Sequence, residues 1–192
     1  HESDAPSVLY GPLEDLFRLL NNVSDNLFER EVGSLLDLRQ FAQHLAVENF
    51  IAEYDGFLGH WSANNFYLYR FQGRTLSQLL PWDKDLAFWD SHYDLFENVS
   101  SNVLASRVLS MPAYRRVYLE TLIACATAAS EITDPNSGKG WLEAEAERET
   151  AQILEAGRAD EKKRFSSDRF EDELAKVLKF TRERAPFVVR EA

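Results

Sequence analysis

Five polar residues stand apart in the stretch AEYDGFLGHWSANNFYLYRFQGRTLSQLLPWDKDLAF, residues 52–88. Asp55, Asn64, Asn65, Asp83 and Asp85 lie in otherwise aromatic and apolar surroundings. Their types suit phosphoryl transfer. One carboxylate must orient the attacking hydroxyl and accept its proton, and a second acid, helped by an amide oxygen, must hold a divalent metal against the phosphates. Magnesium takes oxygen ligands and keeps several waters, so an Asp and an Asn suffice on the protein side. Asp55 follows an expected helix, Asn64 and Asn65 open an expected strand, and Asp83 follows the returning strand. A hairpin would bring Asp83 back beside the two asparagines. The same residues also read as hairpin punctuation: Asp55 before Gly56 as a loop acid, Asn64 and Asn65 as caps, Asp83 and Asp85 as a solvated turn. In a continuing strand Asp83 and Asp85 would share one face, and Lys84 would point away from them.

The elements that must position these groups are mostly helical. GPLEDLFRLLNN carries Pro12 near its start and Leu13, Leu16, Phe17 and Leu20 on one face. SDNLFEREV adds a short helix with Ser24 as cap. In DLRQFAQHLAVENFIAE, Asp37 and Gln40 form a capping box, and Leu38, Phe41, Ala42, Leu45, Asn49 and Ala52 share a stripe. Asn49 on that stripe reads as a buried amide with partners, and His44 as a structural histidine. NFYLYRF alternates as a strand, Gly73 and Arg74 turn the chain, and LSQLLPW pairs back until Pro81. Trp82 and Phe88 read as core, His60 and Trp61 as loop residues free to pack or to touch a substrate. Residues 98–101 read as loop.

SNVLASRVLS is then a short helix, and Pro112 opens PAYRRVYLETLIACATAAS, with Tyr114, Val117, Tyr118, Thr121, Leu122 and Cys125 at helical spacing. A surface helix from Trp141 to Ala156, anchored by Trp141 and Ile153, follows the loop TDPNSGKG. The last helix has a capping box from Asp168 to Glu171 and a stripe of Phe170, Leu174, Val177, Leu178 and Thr181, with Pro186 expected to kink or end it. The sum is one mainly α domain over residues 1–192 with one small inserted β-hairpin.

Composition narrows the function classes. The net charge of −11 argues against a nucleic-acid backbone or an anionic membrane as the main partner. A nucleotide carried with divalent metal stays compatible, because the metal supplies positive charge. Cys125 is the single cysteine, which excludes an intramolecular disulfide and reads as a small core residue. No apolar run approaches the roughly 18 residues of a membrane span. The chain opens at His1 without Met, which predicts a segment of a longer protein. Asn22 and Asn98 each begin an N-x-S sequon, of consequence only in a eukaryotic secretory route.

The order Asp, Asn, strand pair, Asp is that of the catalytic loop and metal-binding motif of protein kinases. The residues DGF, NNFYLYR and LLPWDKDLAF closely resemble the signature of the CotH family of atypical kinases. The resemblance extends to LLDLRQFAQHLAVENFIAE before it and to MPAYRRVYLETL, FEDELAKVLKF and RERAPFVV after it. It implies the kinase-like large lobe of an enzyme that moves the ATP γ-phosphate to Ser or Thr of a secreted, spore-coat or surface protein. Carried over by position, Asp55 would be the catalytic acid–base group, Asn65 or Asn64 the metal-binding amide, Asp83 the main metal ligand, and Asp85 a supporting ligand. The cofactors implied are ATP with magnesium or manganese. Asp55 and Asn65 are ten residues apart, against about five in ordinary kinases, so the choice of Asn stays open. Arg184 resembles a recurring family arginine, with a structural salt bridge expected.

No segment before Asp37 reads as a sheet with a Gly-rich phosphate loop. A small lobe supplied in cis is therefore expected, and the chain alone is expected to be weakly active or inactive. Two other classes fit the same residues: a non-catalytic surface or adhesion module with a kinase-like fold, and a structural domain stabilised by calcium.

Overall fold

The described residues of the computed structural model are 10–192. The element order is α1 (Gly11–Asn22), α2 (Asp25–Gly33), α3 (Leu38–Phe50), β1 (Phe66–Arg70), β2 (Ser77–Pro81), α4 (Val103–Ser110), α5 (Pro112–Ser130), α6 (Trp141–Ala159) and α7 (Ser167–Glu191). The protein is mainly α, with one two-stranded antiparallel hairpin inserted after α3.

Helix α3 is the central strut. Its stripe of Leu38, Phe41, Ala42, Leu45 and Asn49, with Ala52 just beyond its end, is buried throughout. It packs against α5, whose Val117, Tyr118 and Leu122 join the same core. Each Leu or Phe taken fully out of water there contributes about 1.5–3 kcal/mol. Asp37 caps α3 by accepting from the Gln40 amide at 3.0 Å. The reciprocal half of the capping box does not form. The Gln40 carboxamide instead pairs with both backbone groups of Leu79, donating to its carbonyl at 2.7 Å and accepting from its N–H at 3.0 Å. Gln40 thus acts as a surrogate strand that glues β2 to the helix.

The hairpin register sets Phe66 opposite Pro81, Leu68 opposite Leu79, and Arg70 opposite Ser77. Its inner face presents Phe66, Leu68 and Leu79 to the core, while Tyr67, Tyr69 and Leu80 face solvent. Gly73, at φ +74°, turns the chain where a side chain would be strained.

Several expectations are corrected. Phe17 is 55% exposed rather than part of the core. Ser24 starts α2 without accepting from a backbone amide of the helix; its hydroxyl donates instead to the side chain of Asn26 at Oδ1. Residues 99–101 form a short 3-10 turn rather than a loop. Helix α6 runs to Ala159, and Trp141 and Ile153 are exposed. Its seat on α7 uses Gly157, where an added Cβ would collide with the Phe170 ring. Ser166, not Asp168, caps α7 through the Arg169 amide. Phe170, Leu174, Val177 and Leu178 are only half-buried, whereas Phe180, Thr181, Arg184, Ala185 and Val188 are buried. Helix α7 continues through Pro186 to Glu191. Pro186 and Arg182 lie on its exposed face, so the Arg182 carbonyl that loses its donor can turn to water.

Candidate functional site

The site begins where α3 ends. Arg184, fully buried, reaches from α7 and donates to the carbonyls of Asn49 (2.7 Å) and Phe50 (3.0 Å) in the last turn of α3. It also donates to the carbonyls of Tyr93 and Ser91 and to Asn49 Oδ1. No carboxylate among the described residues pairs with it, which corrects the expected salt bridge. Backbone carbonyls at a helix C-terminus supply the negative end of a dipole instead. Burial pulls the Arg184 guanidinium down to about 10. Asn49, whose amide donates to the Asp94 carbonyl at 2.8 Å, is the buried and partnered amide that its place on the stripe predicts.

Beyond α3, Ala52 takes a left-handed φ of 47° and the chain doubles back. Two acids hold the loop that follows. Glu53 Oε1 accepts from the Asp55 amide at 3.1 Å, and Glu48 Oε2, from α3, accepts from the Phe57 amide at 2.7 Å. Gly56 lies between them; an added Cβ would stand 2.7 Å from Glu48 Oε2 and 2.8 Å from Glu53 Cγ.

Asp55 is buried, and its carboxylate is gripped by both asparagines. Asn64 Nδ2 donates to its two oxygens at 3.0 and 3.1 Å, and Asn65 Nδ2 donates to Oδ2 at 2.8 Å. Asn65 sits at φ 52°, a left-handed conformation that Asn tolerates. Its carbonyl accepts from the Trp82 amide at 3.1 Å and from Lys84 Nζ at 3.0 Å. Residues 82–84 are thereby fastened beside Asn65, as the hairpin expectation requires.

Asp83 and Asp85 are both exposed. The strand ends at Pro81 and Asp83 adopts φ 47°, so strand alternation does not govern where these carboxylates point. Lys84 turns inward to Asn65 and to Glu48, whose Oε1 accepts from Nζ at 2.5 Å. Trp82 is 56% exposed rather than core. Phe88 packs on Phe180 with ring centres 4.9 Å apart. His60 stacks on Tyr54 at 4.5 Å, and Trp61 meets Tyr54 edge-on at 5.6 Å while 63% exposed. His44 is buried with Nε2 3.1 Å from Glu48 Oε1, although the angle falls short of a hydrogen bond.

The acids of this region titrate in opposite directions. Burial works to raise the Glu48 carboxyl, but His44 and Lys84 outweigh it and hold the group below the ordinary range. Burial raises the Glu53 carboxyl, opposed by the Asp55 amide and by Lys84 and assisted by Glu48 and Asp85. Glu53 Oε2 is buried without a hydrogen-bond partner. Burial also raises the Cys125 thiol, which fits a half-buried packing residue rather than a nucleophile.

The donor set can be tested against a magnesium nucleotide. Asn65 commits its Nδ2 to Asp55, which leaves the amide oxygen as its metal-binding atom. Asp83, exposed, makes no side-chain hydrogen bond among the described residues. No trio of His, Cys, Asp and Glu side chains is grouped to hold a metal ion among those residues. An Asp with an amide oxygen, completed by phosphate and water, fits magnesium's habit better than an all-protein cage would.

Spacing alone singled out Asp55, Asn64, Asn65, Asp83 and Asp85, and the fold draws Asp55 and both asparagines into direct contact. It did not single out Glu48, Glu53 or Lys84. The available signal was an ionisable pair, His44 and Glu48, one turn apart beside the buried stripe of α3.

Fold and site together define a mainly helical protein whose acid–amide loop is closed against a hairpin. The chain belongs to the CotH kinase protein family, whose profile matches residues 5–188. It is similar to the inner spore coat protein H of Bacillus subtilis (strain 168), at 31% identity over 117 residues. That match covers 57% of this chain and 31% of the spore coat protein, so the chain corresponds to about a third of that relative's length. No helix among the described residues is long and apolar enough to cross a membrane.

Proposed function

We propose that this chain carries the acid–base and metal-holding part of a protein kinase site, which moves the γ-phosphate of ATP to a Ser or Thr hydroxyl of a spore-coat or other surface protein. The observation that carries this reading is the grip of Asn64 and Asn65 on Asp55, fastened through the Asn65 carbonyl to the segment that bears Asp83. In this reading a nucleotide-covering lobe completes the site.

In this reading Asp55 orients the acceptor hydroxyl and takes its proton. Asp55 Oδ2 accepts from both asparagines, whereas Oδ1 accepts from Asn64 alone. Oδ1 therefore keeps more unused acceptor capacity, which suits it to take the hydroxyl proton. The two amides fix the rotation of the carboxylate, so little reorganisation remains at the moment of transfer. Asp83 and the Asn65 amide oxygen would hold magnesium or manganese, with Asp85 in support, and the ion would neutralise charge on the phosphates.

The test uses the full-length protein with radiolabelled ATP and magnesium. Labelling of the protein itself or of a Ser-rich partner, abolished in Asp83→Ala, is expected. Labelling that persists unchanged in that variant would sink the assignment. Thermal melts with magnesium, calcium and ATP in turn add a check that needs no acceptor, because a ligand that binds only the folded state raises its stability. The kinase reading requires a shift with magnesium plus ATP. A shift with calcium alone supports a structural metal site, and no shift supports a non-catalytic surface module.

A further inference from the structure

One ammonium group joins three separate pieces of the proposed site. Lys84 lies between Asp83 and Asp85 in sequence, yet its side chain turns inward and is largely covered. Nζ donates to Glu48 Oε1, on α3, and to the carbonyl of Asn65. The other oxygen of Glu48 accepts from the Phe57 amide, in the loop that begins with Asp55. A continuous chain of bonds therefore runs from the Asp55 loop through Glu48 and Lys84 to Asn65 and to the Asp83–Asp85 segment. The Trp82 amide adds a second tie to the same Asn65 carbonyl.

Two residues joined by this chain of bonds, Asn65 at φ 52° and Asp83 at φ 47°, hold left-handed backbones, a conformation that Asn and Asp tolerate better than most residues and that places each at a sharp bend of the chain. The Glu48 side chain is 7% exposed, so its carboxylate depends on His44, Lys84 and the Phe57 amide for compensation. Gly56 belongs to the same device, because any side chain there would strike Glu48 Oε2.

We propose that Glu48 and Lys84 are positioning residues, a largely covered ion pair that sets the Asp55 carboxylate and the Asp83–Asp85 segment at a fixed separation. This rests on the kinase reading of Asp55 and Asp83. Neither residue is assigned contact with nucleotide or acceptor; both act through the backbone atoms they hold.

The experiment compares full-length wild type with Lys84→Met and with the double variant Glu48→Gln, Lys84→Met. The double variant removes both charges, so it leaves no uncompensated buried ion and guards against simple unfolding. Amide hydrogen exchange is read at Phe57 and Trp82, with buried amides of α3 and α5 as the internal reference. Exchange at Phe57 and Trp82 is expected to accelerate about tenfold or more while the reference amides keep their protection. The phosphoryl-transfer kcat is expected to fall about 10- to 100-fold, with the KM for the acceptor protein little changed. Wild-type exchange at both amides, or an unchanged kcat despite faster exchange, would overturn the proposal. If the wild type transfers no phosphate, the kinase reading falls, and the exchange result by itself decides whether the pair locks the two loops.

Discussion

Gly56 shows how narrowly single atoms constrain the site. Two carboxylate-bearing side chains already occupy the volume where a side chain would start, with Glu48 Oε2 at 2.7 Å and Glu53 Cγ at 2.8 Å from the position of an added Cβ. Both are held by hydrogen bonds to flanking amides, so neither can swing away freely. Gly56→Ala is therefore expected to destabilise the fold by about 1–3 kcal/mol, read as a lower urea midpoint with an unchanged slope. Phosphoryl transfer should fall further than that loss explains, because the displaced acids carry the Asp55 and Phe57 amides with them. At the same scale, Asn65→Ala should cost more activity than Asn64→Ala. Asn65 supplies the shorter bond to Asp55 and also the proposed metal-binding oxygen. Transfer rates titrated against magnesium check this, with a raised magnesium requirement expected for the Asn65 variant alone.

Among the elements, Arg184 decides where the site stands relative to the core. It ties α7 to the end of α3 and to the carbonyls of Ser91 and Tyr93. Lys at this position offers a point charge on a flexible stem and cannot reproduce the planar fork. Arg184→Lys is expected to lose about 3 kcal/mol or more, because several buried carbonyls lose their donor; denaturant unfolding measures it. Pro186→Ala is expected to do the opposite and stabilise α7 by about 1–3 kcal/mol, since it restores a helix bond and removes a ring clash. A higher Tm with unchanged helicity would show it. The comparison with the sequence is sharpest at this scale. Helix α5 reads correctly at both ends because Pro112 marks its start and its stripe is unbroken to Ser130. Helix α7 misleads because Ser166 and Asp168 both suit an N-cap, and because packing on both sides of Pro186 overrides the local breaker. Asn65 and the segment bearing Asp83 are legible as neighbours since a hairpin joins them, whereas the contact of Asp55 with Asn64 and Asn65 is made by the loop of residues 56–63. Lys84 is not legible, because its partners come from α3 and from the strand entry, and only the tertiary fold brings those beside it. Gln40 is a similar case: a capping-box residue by spacing, used instead to bind an edge of the hairpin.

For the molecule as a whole, the balance of two buried acids sets how stability follows pH. Glu48 has a folded-state pKa below its ordinary 4.5, since His44 and Lys84 outweigh its burial. The folded state therefore binds its proton less readily than the unfolded chain does. The stability contributed by Glu48 is complete above about pH 4.5 and is lost as pH falls through the lower folded value. Glu53 is displaced upward from 4.5 by burial, so the folded state binds its proton more readily. Its ionisation costs stability, and that cost appears as pH rises from about 4.5 through the raised folded value. The net charge of −11 adds a background repulsion that grows with pH for every form of the protein. Subtracting the wild-type stability profile from that of a variant largely removes this background. For Glu48→Gln the difference should become more negative as pH rises to about 4.5 and then level off at a loss of about 3 kcal/mol, because the largely covered Lys84 is left without its counter-charge. For Glu53→Gln the difference should climb with pH above about 4.5, because the variant escapes the cost of a buried, half-satisfied carboxylate. Urea unfolding at half-unit steps from about pH 2.5 to pH 8 covers both windows and distinguishes the two. Slopes of the same sign would mean that the two carboxyls do not titrate in the opposed environments that His44 with Lys84, on one side, and burial, on the other, create.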